Sequence, residues 1–108
     1  MVQIRAKKRK RNPRKERIVR YWSDGYVDME AIVFPDGTLE IREEEPDMIT
    51  TWIIRKDVSR FYQGPEGSDM LLHETKTPRG VYGEVKSMIL KGKLLDLSYY
   101  LRKVYGWN

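Results

Sequence analysis

Residues 26–34, YVDMEAIVF, alternate. Val27, Met29, Ala31 and Val33 fall on one side of an extended chain, and Asp28 and Glu30 on the other. This is the two-residue period of a strand with one buried face. Pro35-Asp36-Gly37 follows as a turn signal. TLEIRE, 38–43, then alternates again, with Leu39 and Ile41 inward and Glu40 and Arg42 outward. Together the two segments predict a β-hairpin. Asp24-Gly25 marks a turn before it, and RIVRYWS, 17–23, reads either as a first strand or as a helical turn continuing from Lys15. Glu43-Glu44-Glu45-Pro46-Asp47 reads as an acidic loop. MITTWIIR, 48–55, is β-branched and aromatic, as strands are. VSRFYQ, 58–63, either extends that strand or forms a short one of its own, and DMLLHETKT, 69–77, predicts another strand ending at Pro78.

From Gly83 the period changes. Val85, Met88, Ile89, Gly92 and Leu95 keep helical spacing, as do Leu94, Leu97, Leu101 and Val104 on a shifted face. Gly92, flanked by Lys91 and Lys93, marks a kink or a break between two helices, and Gly106 suits a helix end. The expectation is an α+β fold: a mainly antiparallel sheet of four or five strands, with C-terminal helix on one face. An extended basic arm, residues 1–17, precedes a single domain, residues 18–108. With 108 residues in all, one domain is the natural outcome.

Charge sharpens this division. Residues 1–20 hold ten of the 21 Lys and Arg and one of the 16 Asp and Glu, a balance of +9, whereas the other 88 residues carry −4. After Met1, Val2, Ile4 and Ala6 are the apolar residues before Ile18, and Pro13 interrupts any helix through the run. Such a segment has no apolar reason to bury itself and reads as an interaction tail. The partner it implies is a polyanion, DNA or RNA, through Lys7, Lys8, Arg9, Lys10, Arg11, Arg14, Lys15, Arg17 and Arg20. Tyr21 and Trp22 follow directly and are candidates for base stacking, with Trp52, Phe61 and Tyr62 as an extension of the same platform. In the body, Arg55, Lys56 and Arg60 cluster near one strand end, and Lys86 and Lys93 are seven residues apart at helical spacing. These groups either extend the arm's footprint or form a solvated face.

Other classes are narrowed by what the chain holds. The absence of cysteine excludes a disulfide framework, thiol catalysis and zinc ribbons. No apolar run approaches the ~20 residues of a membrane span, and the N-terminal charges are not followed by the apolar stretch of a secretory signal. A cytoplasmic protein is expected. In a eukaryote Lys7-Lys8-Arg9-Lys10-Arg11 also has the form of a nuclear import signal. No cofactor is implied. His73 stands alone beside Glu74, without the partners of a catalytic or metal site.

Two alternatives to a non-catalytic nucleic-acid binder remain open. The acidic stretch 43–47 and the aromatics Tyr99, Tyr100, Tyr105 and Trp107 suit a protein-interaction module, an inhibitor or assembly subunit, or a homodimer. Asp28 on one strand and Glu40-Ile41-Arg42 on the next, with Glu16 upstream, resemble the restriction-endonuclease-like nuclease superfamily. That resemblance implies Mg²⁺ held by Asp28 and Glu40 and phosphodiester cleavage by an activated water. Arg42 stands where that pattern has lysine and cannot give up its proton. A second match, Asp47 with Glu74-Thr75-Lys76, keeps the lysine at the cost of an intervening strand.

Overall fold

A computed structural model describes residues 16–65 and 70–107. Six strands run in order: β1 (Ile18–Ser23), β2 (Asp28–Val33), β3 (Leu39–Glu45), β4 (Met48–Ile54), β5 (Val58–Gly64) and β6 (Leu71–Lys76). Two helices follow, α1 (Val81–Leu90) and α2 (Leu94–Tyr105). The strands form one sheet in the order β1-β2-β3-β4-β5-β6, each antiparallel to the next. Every strand therefore pairs with its neighbour in sequence.

Among the described residues the count is six, not the four or five that the pattern suggested. RIVRYWS supplies a true strand, and VSRFYQ separates from MITTWIIR. The separation is made by a turn at Arg55–Asp57, in which Arg55 N donates to Val58 O at 2.9 Å. The supposed acidic loop is also mostly strand. β3 runs through Glu45, and only Pro46 and Asp47 are left to turn the chain.

The turns are made by local chemistry. Asp24 Oδ1 accepts from the amides of Tyr26 (2.9 Å) and Val27 (2.8 Å), an Asx-type turn. Between β2 and β3, Gly37 N donates to Phe34 O at 3.0 Å, and Asp36 Oδ1 accepts from Thr38 N at 2.9 Å. Gly37 has a φ of 94°, a conformation that residues with a Cβ rarely adopt.

Registry brings Met29, Ala31, Val33, Leu39, Ile41, Trp52, Ile54 and Phe61 to one face of the sheet. There they meet Val81, Val85 and Ile89 of α1 and Leu94, Leu97 and Leu101 of α2 in a single buried cluster. Each fully buried aliphatic or aromatic side chain contributes roughly 1.5–3 kcal/mol. Gly92, at φ 73°, breaks the helical stretch as its position suggested. Lys86 and Lys93 consequently do not share one helix: Lys86 is in α1, and Lys93 immediately precedes α2.

The C-terminus is fastened to the far strands. Tyr105 Oη lies 2.6 Å from Ser59 Oγ, which lies 2.7 Å from Thr77 Oγ1, and Thr77 donates to Arg55 O at 2.6 Å. Trp107 stacks on Tyr105 at 4.4 Å and on His73 at 5.1 Å. The lone histidine is thus part of an aromatic stack. Among the described residues no helix is long and apolar enough to cross a membrane.

Candidate nucleic-acid interface

Lys7, Lys8, Arg9, Lys10, Arg11, Arg14 and Lys15 lie outside the described residues. The fold does fix where that segment joins the body, at the start of β1. The antiparallel registry places the β2–β3 turn, the β4–β5 turn and the link from β6 to α1 at this same end of the sheet. Arg17, Arg55, Lys56, Lys76, Arg79 and Lys86 gather here, against Glu16, Asp36 and Asp57. The β1–β2 and β3–β4 turns stand at the opposite end with Asp24, Asp28, Glu43, Glu44, Glu45 and Asp47. The body is electrically polarised along its strands, and the basic arm joins it at the positive pole.

A cleft of about 380 Å³ opens at that pole, lined by Asp36, Gly37, Arg55, Lys56, Tyr82 and Lys86 among others. The Lys56 ammonium sits 5.6 Å over the Tyr82 ring, whose hydroxyl donates to Gly37 O. Burial pushes the Tyr82 phenol above its ordinary value. Asp36 is held below the usual carboxylate range, first by the Thr38 amide and less by the nearby Arg55 charge. Among the described residues the ion pairs are Arg60–Glu74 and Arg102–Glu43, so Arg17, Arg55, Lys56 and Lys86 remain outside ion pairs. Arg17 lies 5.9 Å over the Phe34 ring.

The remaining candidates divide. Arg20 is half-buried, and its Nη2 donates to Leu90 O at 3.3 Å, tying β1 to the end of α1. Tyr21 is 65% exposed and lies on the sheet face without helices, whereas Trp22, one residue on, turns to the opposite face and packs on the core. Adjacent residues of a strand point to opposite sides, so these two rings cannot form one platform. Trp52 and Phe61 are fully buried in the core and are not stacking surfaces. Arg60 leaves the basic cluster, its Nε donating to Glu74 Oε2 at 2.6 Å.

The nuclease constellation is not assembled. Asp28 pairs in register with Glu44, and Glu40 with Ile32. Asp28 and Glu40 are four residues apart along the sheet, roughly 13 Å, too far to share one ion. Asp28 instead accepts from Ser23 at 2.5 Å. Asp47 occupies the turn at the acidic end, away from Glu74, which pairs with Arg60. Among the described residues no three His, Asp or Glu are grouped as a metal site.

One ion pair escaped the sequence pattern. Glu43 follows Leu39 and Ile41 at the inward period of β3 and is 5% exposed. Arg102 of α2 meets it in a fork, at 2.8 Å to Oε2 and 2.9 Å to Oε1, and Ser98 also donates to Oε2. The hydrogen bond to Glu43 holds the Arg102 guanidinium still more firmly charged, and its carbon lies 5.0 Å over the Trp52 ring. The signal was a carboxylate at an inward position of an alternating strand.

The chain matches no known protein family, no curated protein and no solved structure, so the site is read from its own chemistry.

Proposed function

We propose that the protein is a non-catalytic nucleic-acid-binding protein that holds the phosphate backbone through its N-terminal arm, with the positive pole of the body continuing the contact. The observation that carries this reading is the coincidence of two features. Residues 1–15, with eight Lys or Arg and no Asp or Glu, join the fold at the end where, among the described residues, Arg17, Arg55, Lys56 and Lys86 stand outside ion pairs. A phosphate chain laid along the arm meets these cations next, and each phosphate they neutralise releases counterions. Tyr21, exposed on β1 four residues from Arg17 and beside Glu30 and Arg42, offers a ring for an unstacked base. Recognition is mainly independent of sequence, because phosphate contacts position a protein without specifying bases.

The test is fluorescence anisotropy with single-stranded DNA, duplex DNA and RNA across a salt series. Affinity should fall steeply with salt. Gln at Arg55, Lys56 and Lys86 together should shallow the log–log slope on duplex by about 0.9 for each phosphate that is no longer neutralised. Binding that is insensitive to salt would exclude this mode of recognition.

A further inference from the structure

The acidic end of the molecule carries a second cleft, of about 420 Å³, between α2 and the β1–β2 hairpin. Trp22, Leu95 and Tyr99 give it apolar and aromatic walls, and Asp24, Glu43 and Glu45 give it charge. Arg102 pairs with Glu43 and its charge also reaches Glu45, so the lining sets three carboxylates against one guanidinium, an excess of two negative charges. Asp24 accepts two amides of its own turn, which keep it ionised, and Glu45 is exposed at the end of β3. Two carboxylates thus remain beside two aromatic rings. Tyr99, 76% exposed, and Leu95, 59% exposed, stand one helical turn apart at the rim.

Carboxylates flanked by ring faces attract a guanidinium or ammonium group. We infer that this cleft receives Lys and Arg side chains from the N-terminal arm of a second copy of the chain. Charge complementarity carries the choice: the arm is the one strongly cationic segment of the sequence. The arm joins β1 at the opposite end, about 20 Å from the cleft along a six-residue strand. Doubling back within one molecule would lay Lys7–Arg11 along Arg17, Arg20 and the Lys91–Lys93 turn that Arg20 reaches through Leu90, where like charges repel. The arm of a second copy can enter from the acidic end, past Asp24 and Glu45, without running along those cations. A donor at one pole and a receptor at the other make it head-to-tail, which extends unless the rotation closes a ring. The inference does not rest on nucleic-acid binding, although the same arm would serve both contacts and nucleic acid would compete for it.

Sedimentation velocity on nuclease-treated full-length protein, over a concentration series at low and high salt, tests it. The expected result is association that grows with concentration at low salt and disappears at high salt. Glu45→Lys and, separately, Tyr99→Ala should each weaken it about five-fold, and a synthetic peptide of residues 4–17 should compete it away. Circular dichroism of both variants checks that the fold is kept. A monomer at every concentration, or association that both folded variants leave unchanged, would overturn the inference. Either result would leave the arm free for nucleic acid, and the anisotropy titration reads that contact separately.

Discussion

Glu43 and Arg102 show how much one buried pair asks of its surroundings. Glu43 is almost wholly removed from water and Arg102 about two-thirds so, with side-chain exposures of 6% and 34%. Removing one partner strands the other. Arg102→Ala should cost about 2–4 kcal/mol, the lower end reflecting the water that reaches Arg102. Replacing both residues by Met should recover most of that stability, because an apolar pair needs no desolvated charge. Urea denaturation of the two single variants and the double variant measures the coupling.

Tyr105 offers a second test of a single side chain. Burial raises its pKa above the ordinary 10.0, and burial acts in the same direction on Tyr82 and Tyr100. The folded protein therefore holds these protons more tightly than the unfolded chain does. The stability they contribute is complete below about pH 10 and is lost as pH rises through their folded values. Tyr105→Phe removes one such group and its hydrogen bond to Ser59. It should cost about 1 kcal/mol at neutral pH, while the stability that remains should fall less steeply on titration into alkali.

Among the strands and helices, alternation and turn chemistry made much of the sheet legible. Val27 to Val33 and Leu39 to Ile41 have the stated period, and the hairpin between them is where the pattern placed it. Gly92 divides the helices as its spacing suggested. What stayed hidden depends on partners that sequence does not place. Ile18 and Val19, on an edge strand, are both exposed, so β1 lacks the clean alternation that would have distinguished it from a helical turn. Arg55-Lys56-Asp57 lacks the Gly, Pro or Asn that usually announces a turn, so β4 and β5 ran together. Trp52 and Phe61 resembled ligand-binding rings, but Arg102 of α2 lies over the first and Trp107 packs on the second. Tyr105 and Trp107, expected at a surface, are drawn into the stack with Phe61 and His73.

The turn between β2 and β3 is constrained both by its backbone conformation and by a neighbouring side chain. A Cβ at Gly37 would stand 3.3 Å from the Tyr82 hydroxyl, at a φ of 94°. Gly37→Ala should therefore destabilise the domain by about 1–2 kcal/mol, lowering the midpoint of thermal unfolding by about 4–8 °C per kcal/mol.

Across the molecule as a whole, the polarised body and the charged arm explain what no single side chain does. The chain's +5 is the remainder of two opposed charge distributions, and its partners should be chosen by pole rather than by net charge. Arg60 and Arg102 are committed to carboxylates within the fold. Among the described residues, Arg17, Arg55, Lys56 and Lys86 stand outside such pairs, near the point where the arm joins the body.

The most direct test replaces Lys7, Lys8, Arg9, Lys10 and Arg11 by Gln in the full-length chain and compares its anisotropy isotherms with those of the parent on one duplex over a salt series. Weaker binding, with a log–log slope shallower by about 0.9 for each phosphate the arm ceases to neutralise, is the predicted result. An unchanged affinity with an unchanged slope would contradict the account.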